Sequence, residues 1–129
     1  MRYRYLSIEE LKEIHRKIIE ETGGSLGILF PGNLEICVEV VKHKIFGLNP
    51  YKDIIEKAAS LLYNIVKLHP FLDGNKRTAI VATAVFLDLN GFEMLIEPKE
   101  AISFLLKLSK CSIDYENTIK WLERRVNIK

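Results

Sequence analysis

Apolar residues recur through most of this chain every three to four positions, the period of a helix that buries one face. Ile8, Leu11, Ile14, Ile18 and Ile19 form the first such stripe, with acidic and basic residues opposite. Ser7 with Glu10 three residues on makes a capping box at its start, and Gly23-Gly24 stops it. Asn33 is the predicted N-cap of a second helix, running to roughly Ile45 and ended by Gly47. Asn49 caps a third, with Pro50 in the first position, where a missing N–H costs nothing. Its Ile54, Ile55, Ala58, Leu61, Leu62, Ile65 and Val66 make a broad apolar face. From Asn75 to Leu89, Ala79, Val81, Ala82, Ala84, Val85 and Phe86 nearly surround the axis, which predicts a central, buried helix. Asn90-Gly91 ends it, and Phe92 to Ile96 is expected to be briefly extended. Pro98 opens a helix to about Lys107, and Ser112 caps a last one carrying Ile113, Ile119, Trp121, Leu122 and Val126. The expectation is an all-α chain of about six helices forming one domain over residues 1–129, with no repeat or linker.

Composition narrows the function more than the fold. A chain of 129 residues can bury one core but not two. Its hydrophobic share of 48% and charged share of 28% are ordinary for a globular protein. A net charge of +2 argues against direct nucleic-acid binding, which normally needs a strongly basic face. The N-terminus carries no signal pattern, and no apolar run approaches the ~18 residues of a membrane span. No membrane partner and a cytoplasmic location are therefore expected. Cys37 and Cys111 fall within apolar helical patterns and read as buried free thiols. His15, His43 and the run Lys42-His43-Lys44 read as solvated surface, and Trp121 as core. Residues 23–32 hold four glycines and one proline around Ile28, Leu29 and Phe30. Such an apolar loop either packs locally or meets a partner.

The candidate chemistry is concentrated between the third and fourth helices, in His69-Pro70-Phe71-Leu72-Asp73-Gly74-Asn75-Lys76-Arg77. His69 can accept a proton, since a free imidazole titrates near ~6.5. Asp73 offers the hard carboxylate oxygen that Mg²⁺ takes alongside waters and substrate phosphates. Gly74 and Asn75 open a helix whose unpaired N–H groups favour an anion. Lys76 and Arg77 put cations in that first turn, against the helix dipole, a cost that a bound polyphosphate would reverse. Phe71 is the apolar anchor of a polar loop. A P-loop is excluded by the missing upstream glycine and strand, and a hairpin at Asp73-Gly74 by flanks that do not alternate. A base, a metal ligand and a phosphate cradle together point to nucleotide-dependent group transfer.

This string resembles the signature of the Fic/Doc superfamily, H-x-F-x-D/E-G/A-N-G/K-R. Lys76 sides with the Doc (death on curing) toxin branch. In Fic adenylyltransferases that position is usually glycine, and a second arginine follows three residues after the motif arginine; here those positions hold Lys76 and Ile80. Pro70 and Gly74 are closer to the Fic form. Gly23-Gly24, Pro31-Gly32, Thr78-Ala79, Phe86-Leu87 and Asn90-Gly91 extend the resemblance through most of the chain. The resemblance implies a Fic-fold helical domain that uses ATP, or another nucleoside triphosphate, with Mg²⁺ to modify a hydroxyl side chain of a target protein. It implies His69 as catalytic base, Asp73 as metal ligand, and Gly74, Asn75 with its amide, Lys76 and Arg77 as phosphate-binding residues.

Lys76 narrows the slot that glycine leaves open in Fic enzymes, and Ile80 supplies no donor for the β- and γ-phosphates. A Doc-like kinase presenting the γ-phosphate is therefore the first reading. Its target would be a translation elongation factor, its effect growth arrest, and its inhibitor a separate antitoxin chain. The alternatives are Fic-type AMP or other nucleotidyl transfer, and a module that binds nucleotide or partner without turnover. The loop at residues 23–32 resembles the flap that guides the target peptide. Ser112-x-x-x-Glu116-Asn117 matches the short autoinhibitory string of Fic proteins, although the expected capping role suffices to explain Ser112.

Overall fold

The computed structural model describes residues 3–43, 50–110 and 112–129. In order these form α1 (Ile8–Thr22), α2 (Pro31–His43), α3 (Pro50–Leu68), α4 (Asn75–Leu89), β1 (Phe92–Met94), α5 (Pro98–Ser109), α6 (Tyr115–Glu123) and β2 (Val126–Ile128). The architecture is the expected all-α one, with a single small antiparallel ladder added. Helix α1 begins on the Ser7/Glu10 capping box and ends at Gly23 in a left-handed φ of 90°. Leu11, Ile18 and Ile19 of its stripe are buried.

The axis of the fold is α3 rather than α4. Ile54, Ile55, Ala58, Ala59, Leu62 and Ile65 of α3 have no exposed surface. Helices α2, α4, α5 and α6 all pack on it. Helix α4 buries Ala79, Ala82, Thr83, Phe86 and Leu87 but leaves Val81 exposed and Ala84 and Val85 half-covered. Small alanines all round its axis had suggested full burial, yet only one face of α4 has neighbours, chiefly α3, α1 and β1.

Local signals placed some ends incorrectly. Helix α2 starts at Pro31, with the N–H groups of Asn33 and Leu34 both reaching the Phe30 carbonyl. Asn33 therefore lies inside the first turn, and its amide donates to the Leu68 carbonyl at the end of α3 (2.7 Å). Asp114, not Ser112, caps α6, accepting from the Asn117 N–H. Val126 lies in β2 opposite Met94, although its spacing from Leu122 is helical. The Leu95 N–H to Arg125 carbonyl bond (2.7 Å) draws the chain away from the helix axis there. Expectations for Ile45, Gly47, Asn49, Lys44 and Cys111 fall outside the described residues.

Cys37 is fully buried, and burial pushes its thiol up to about 12. His43 and Lys42 lie on the outer side of α2, paired with Glu39. Trp121 is half-buried, stacked on Phe104 at 4.0 Å, with the Arg125 guanidinium over its ring. Among the described residues no helix is long and apolar enough to cross a membrane.

Candidate active site

The loop from His69 to Gly74 turns the chain from α3 into α4, and many of its polar groups are hydrogen-bonded. His69 follows the last residue of α3 with φ 48°, the left-handed conformation that usually falls to glycine at a helix end. Its Nδ1 is 3.2 Å from the Val66 carbonyl. A carbonyl only accepts, so this bond puts the proton on Nδ1 and leaves the Nε2 lone pair of an exposed ring for other use. Phe71 is 1% exposed and anchors the loop in the core. Burying a ring of that size contributes roughly 1.5–3 kcal/mol.

Asn75 holds the same anchor by its main chain. Its Oδ1 accepts from the Phe71 N–H (3.0 Å) and its Nδ2 donates to the Phe71 carbonyl (2.9 Å). The side chain is 4% exposed, so the amide expected at a phosphate is instead the clasp of the loop. The anion-binding potential here belongs to the main chain. Helix α4 opens at Gly74 (φ 77°) with no side-chain cap, so the first-turn N–H groups have no partner within the helix. Lys76 in that turn is half-buried and makes no hydrogen bond or ion pair among the described residues. Ile80 is half-buried one turn further on.

Asp73 receives the Gly74 N–H on Oδ1 (2.8 Å) and the Ser25 N–H on Oδ2 (3.2 Å). Those two bonds, the Ser25 one foremost, helped by the Arg77 charge, hold its carboxyl below the usual carboxylate range. Its side chain is 47% exposed, so an ionised carboxylate meets solvent beside an uncapped helix start. Among the described residues no group of three or more His, Cys, Asp or Glu could hold a metal. The donor set thus fits a cation that needs one carboxylate and completes its shell with water and phosphate, as Mg²⁺ does. The Arg77 guanidinium is 3.7 Å from Asp73 Oδ1. It donates to Thr22 Oγ1 and to the Gly23 carbonyl (2.8 Å), where it supplies the cation that α1 lacks in its own last turn.

Two elements outside the motif complete the site. The segment before α2 pairs with the loop through an Ile28–Phe71 bridge, with Leu29 and Phe30 N–H groups on the Pro70 carbonyl and the Leu72 N–H on Gly27. Leu26, Ile28, Leu29, Phe30 and Leu72 remain exposed there, so this apolar loop does not pack away locally. Helix α1 supplies the other. His15, expected on the surface, is 3% exposed; its ring stacks on Phe71 at 3.8 Å and its Nε2 is 2.7 Å from the Asp73 carbonyl. The signal was in the spacing, since Leu11, His15, Ile18 and Thr22 share one helical face. Gly24 was also informative: a Cβ there would lie 2.5 Å from Asp73 Oδ2 and 3.2 Å from Arg77. Glu116 of the string resembling the autoinhibitory one is exposed in the first turn of α6, a helix that packs on α3, and makes no ion pair with Arg77.

Comparison with known proteins agrees with this geometry. The model of the Fic/DOC family matches residues 5–87, from the start of the chain through the loop and most of α4. The Toxin Doc of Mycolicibacterium smegmatis is 36% identical over 72 residues, 56% of this chain and 55% of that protein. The Protein kinase doc of Escherichia phage P1 is 33% identical over 98 residues, 76% of this chain and 77% of the phage protein. The Protein adenylyltransferase fic-1 of Caenorhabditis elegans is 32% identical over 110 residues, 74% of this chain but 22% of that protein. The chain thus spans about half the length of the first relative, most of the second and about a fifth of the third. Carrying the motif loop on the α3–α4 corner, within a match that covers most of its length, this chain belongs to the Fic/DOC family.

Proposed function

We propose that this protein is a Doc-like protein kinase, transferring the γ-phosphoryl group of ATP, or another nucleoside triphosphate, to a Ser or Thr hydroxyl of a target protein. The observation that carries the reading is the helix start itself: α4 has no side-chain cap, Lys76 in its first turn has no partner among the described residues, and Ile80 offers no donor below it. That arrangement favours phosphates at the mouth of the helix over a polyphosphate threaded past it. His69 Nε2 takes the proton of the target hydroxyl, the hydroxyl oxygen forms its bond to the γ-phosphorus, and the bond from that phosphorus to the β-phosphate oxygen breaks. The nucleoside diphosphate leaves with the bridging oxygen. The first-turn N–H groups after Gly74 and the Lys76 ammonium stabilise charge on the transferring group. Arg77 contributes from its seat on the end of α1. Asp73 would hold Mg²⁺, which when bound neutralises phosphate charge.

The exposed apolar flap around Ile28 is the proposed seat of the target chain, next to the Pro70–Leu72 segment that it bridges. A translation elongation factor as target, growth arrest as outcome, a separate antitoxin as inhibitor and a cytoplasmic setting belong to the same reading, supported by relatives named Toxin Doc and Protein kinase doc. AMP transfer is the second reading. Gly74 and Pro70 favour it, as do the adenylyltransferase relatives.

The test is mass spectrometry of a lysate of the source cells incubated with the protein, ATP and Mg²⁺, with His69→Ala alongside. A His69-dependent gain of one phosphate on a target peptide is expected. A gain of one AMP would replace the kinase reading with the second. Nucleotide binding with no transfer to any protein would leave only a binding module.

A further inference from the structure

We infer that His15 is a positioning residue for the carboxylate of Asp73, acting through the peptide that joins Asp73 to Gly74. The inference rests on the proposed reading of Asp73 as the metal ligand. His15 lies midway along α1, 58 residues from Asp73 in sequence, and is 3% exposed. Its ring lies flat on Phe71, the centroids 3.8 Å apart and the planes within 4°. A leucine or phenylalanine could fill that place on the apolar stripe equally well. What the imidazole adds is one directed donor, Nε2–H to the Asp73 carbonyl at 2.7 Å. Because the carbonyl only accepts, this bond fixes the tautomer with the proton on Nε2.

The other end of the same peptide is also held. Gly74 N–H donates to Asp73 Oδ1 at 2.8 Å. The peptide plane is thus pinned at its oxygen by α1 and at its nitrogen by the carboxylate whose direction matters. Gly74 sits at φ 77° and accepts either sign of φ with little steric cost, so backbone sterics at Gly74 do little to resist a flip of that plane. A flip would swing the Gly74 N–H away from Oδ1 and leave the carboxylate on the Ser25 contact alone (3.2 Å). It would also redirect the residue that opens α4. His15 therefore restrains the metal carboxylate and the helix mouth together, through a main-chain bond and without touching the carboxylate itself.

Two substitutions separate the donor from the ring. His15→Phe keeps a flat face against Phe71 and removes the donor. His15→Gln keeps an N–H near the position of Nε2 and removes the ring. The measurements, on the full chain, are Mn²⁺ affinity by calorimetry with a non-hydrolysable ATP analogue present, melting temperature, and the imidazole ¹⁵N spectrum of the metal-free protein. The expected results are an Nε2–H tautomer for His15 and a loss of roughly tenfold or more in Mn²⁺ affinity for His15→Phe. His15→Gln should recover most of that loss even where it melts lower than His15→Phe. Wild-type affinity in His15→Phe, losses that follow melting temperature irrespective of the donor, or an Nδ1–H tautomer would each overturn the inference. Asp73→Asn separates it from the reading beneath it. Loss of Mn²⁺ binding in Asp73→Asn with none in His15→Phe overturns only the role of His15, whereas unchanged binding in Asp73→Asn overturns the metal assignment and this inference with it.

Discussion

His69 combines the proposed base with a left-handed backbone, and the two can be separated by substitution. At φ 48° an L-residue carries a penalty of about 1–2 kcal/mol that glycine does not. Glycine returns roughly 0.4–1 kcal/mol of that through its greater freedom in the unfolded chain. His69→Gly and His69→Ala both lose the imidazole and its 3.2 Å bond to the Val66 carbonyl, so that contribution cancels between them. The remaining difference favours glycine by about 0.5–1 kcal/mol. For a chain of this size that corresponds to a melting temperature higher by about 2–4 °C. Urea denaturation and calorimetry on the two variants measure it, and phosphate transfer should be absent from both. Equal stability, or a more stable alanine variant, would refute the left-handed assignment. It would also refute the argument that a strained residue is kept at this helix end for its side chain.

Gly24→Ala should destabilise by about 1–3 kcal/mol, since φ is 119° there and the new Cβ would meet Asp73 Oδ2 at 2.5 Å. It should also raise the Mg²⁺ concentration needed for transfer; a variant normal in both urea denaturation and Mg²⁺ dependence would contradict the packing described. Glu10 is lowered from 4.5 to about 2, first by its hydrogen bond to Arg4 and then by the Ser7 N–H. Because the folded value is depressed, its contribution is present above pH 4.5 and is lost as pH falls toward about 2. Both side chains are more than a third exposed, so solvent screening keeps that contribution below about 1 kcal/mol. Glu10→Gln preserves the capping box and should flatten that part of the acid-denaturation profile; superimposable wild-type and variant profiles would contradict it.

Local chemistry in the chain was enough to specify several features. The Ser7/Glu10 box, the Gly23 stop, Pro50 and Pro98 as first residues of helices, and the concentration of polar groups from His69 to Arg77 all follow from interactions spanning a few residues. Such interactions are much the same whatever the rest of the chain does. Periodicity likewise identified the buried faces of α1 and α3, because a helix repeats its contacts at a fixed interval.

Tertiary contacts decided the rest. Which helix became the axis depended on how many neighbours each acquired, and the small residues around α4 could not reveal that. Val126 left its helical register for a partner strand 32 residues away, and Asn33 exchanged a cap for the end of α3. The site shows the same division. Its candidate residues are close together in sequence, but their directions are set from a distance: Asp73 by Ser25 and His15, Arg77 by the end of α1, and the loop edge by Gly27 to Phe30. A motif specifies which groups are present. Their aim is fixed by hydrogen bonds across the fold, and those bonds exist only once α1 has packed against the α3–α4 corner.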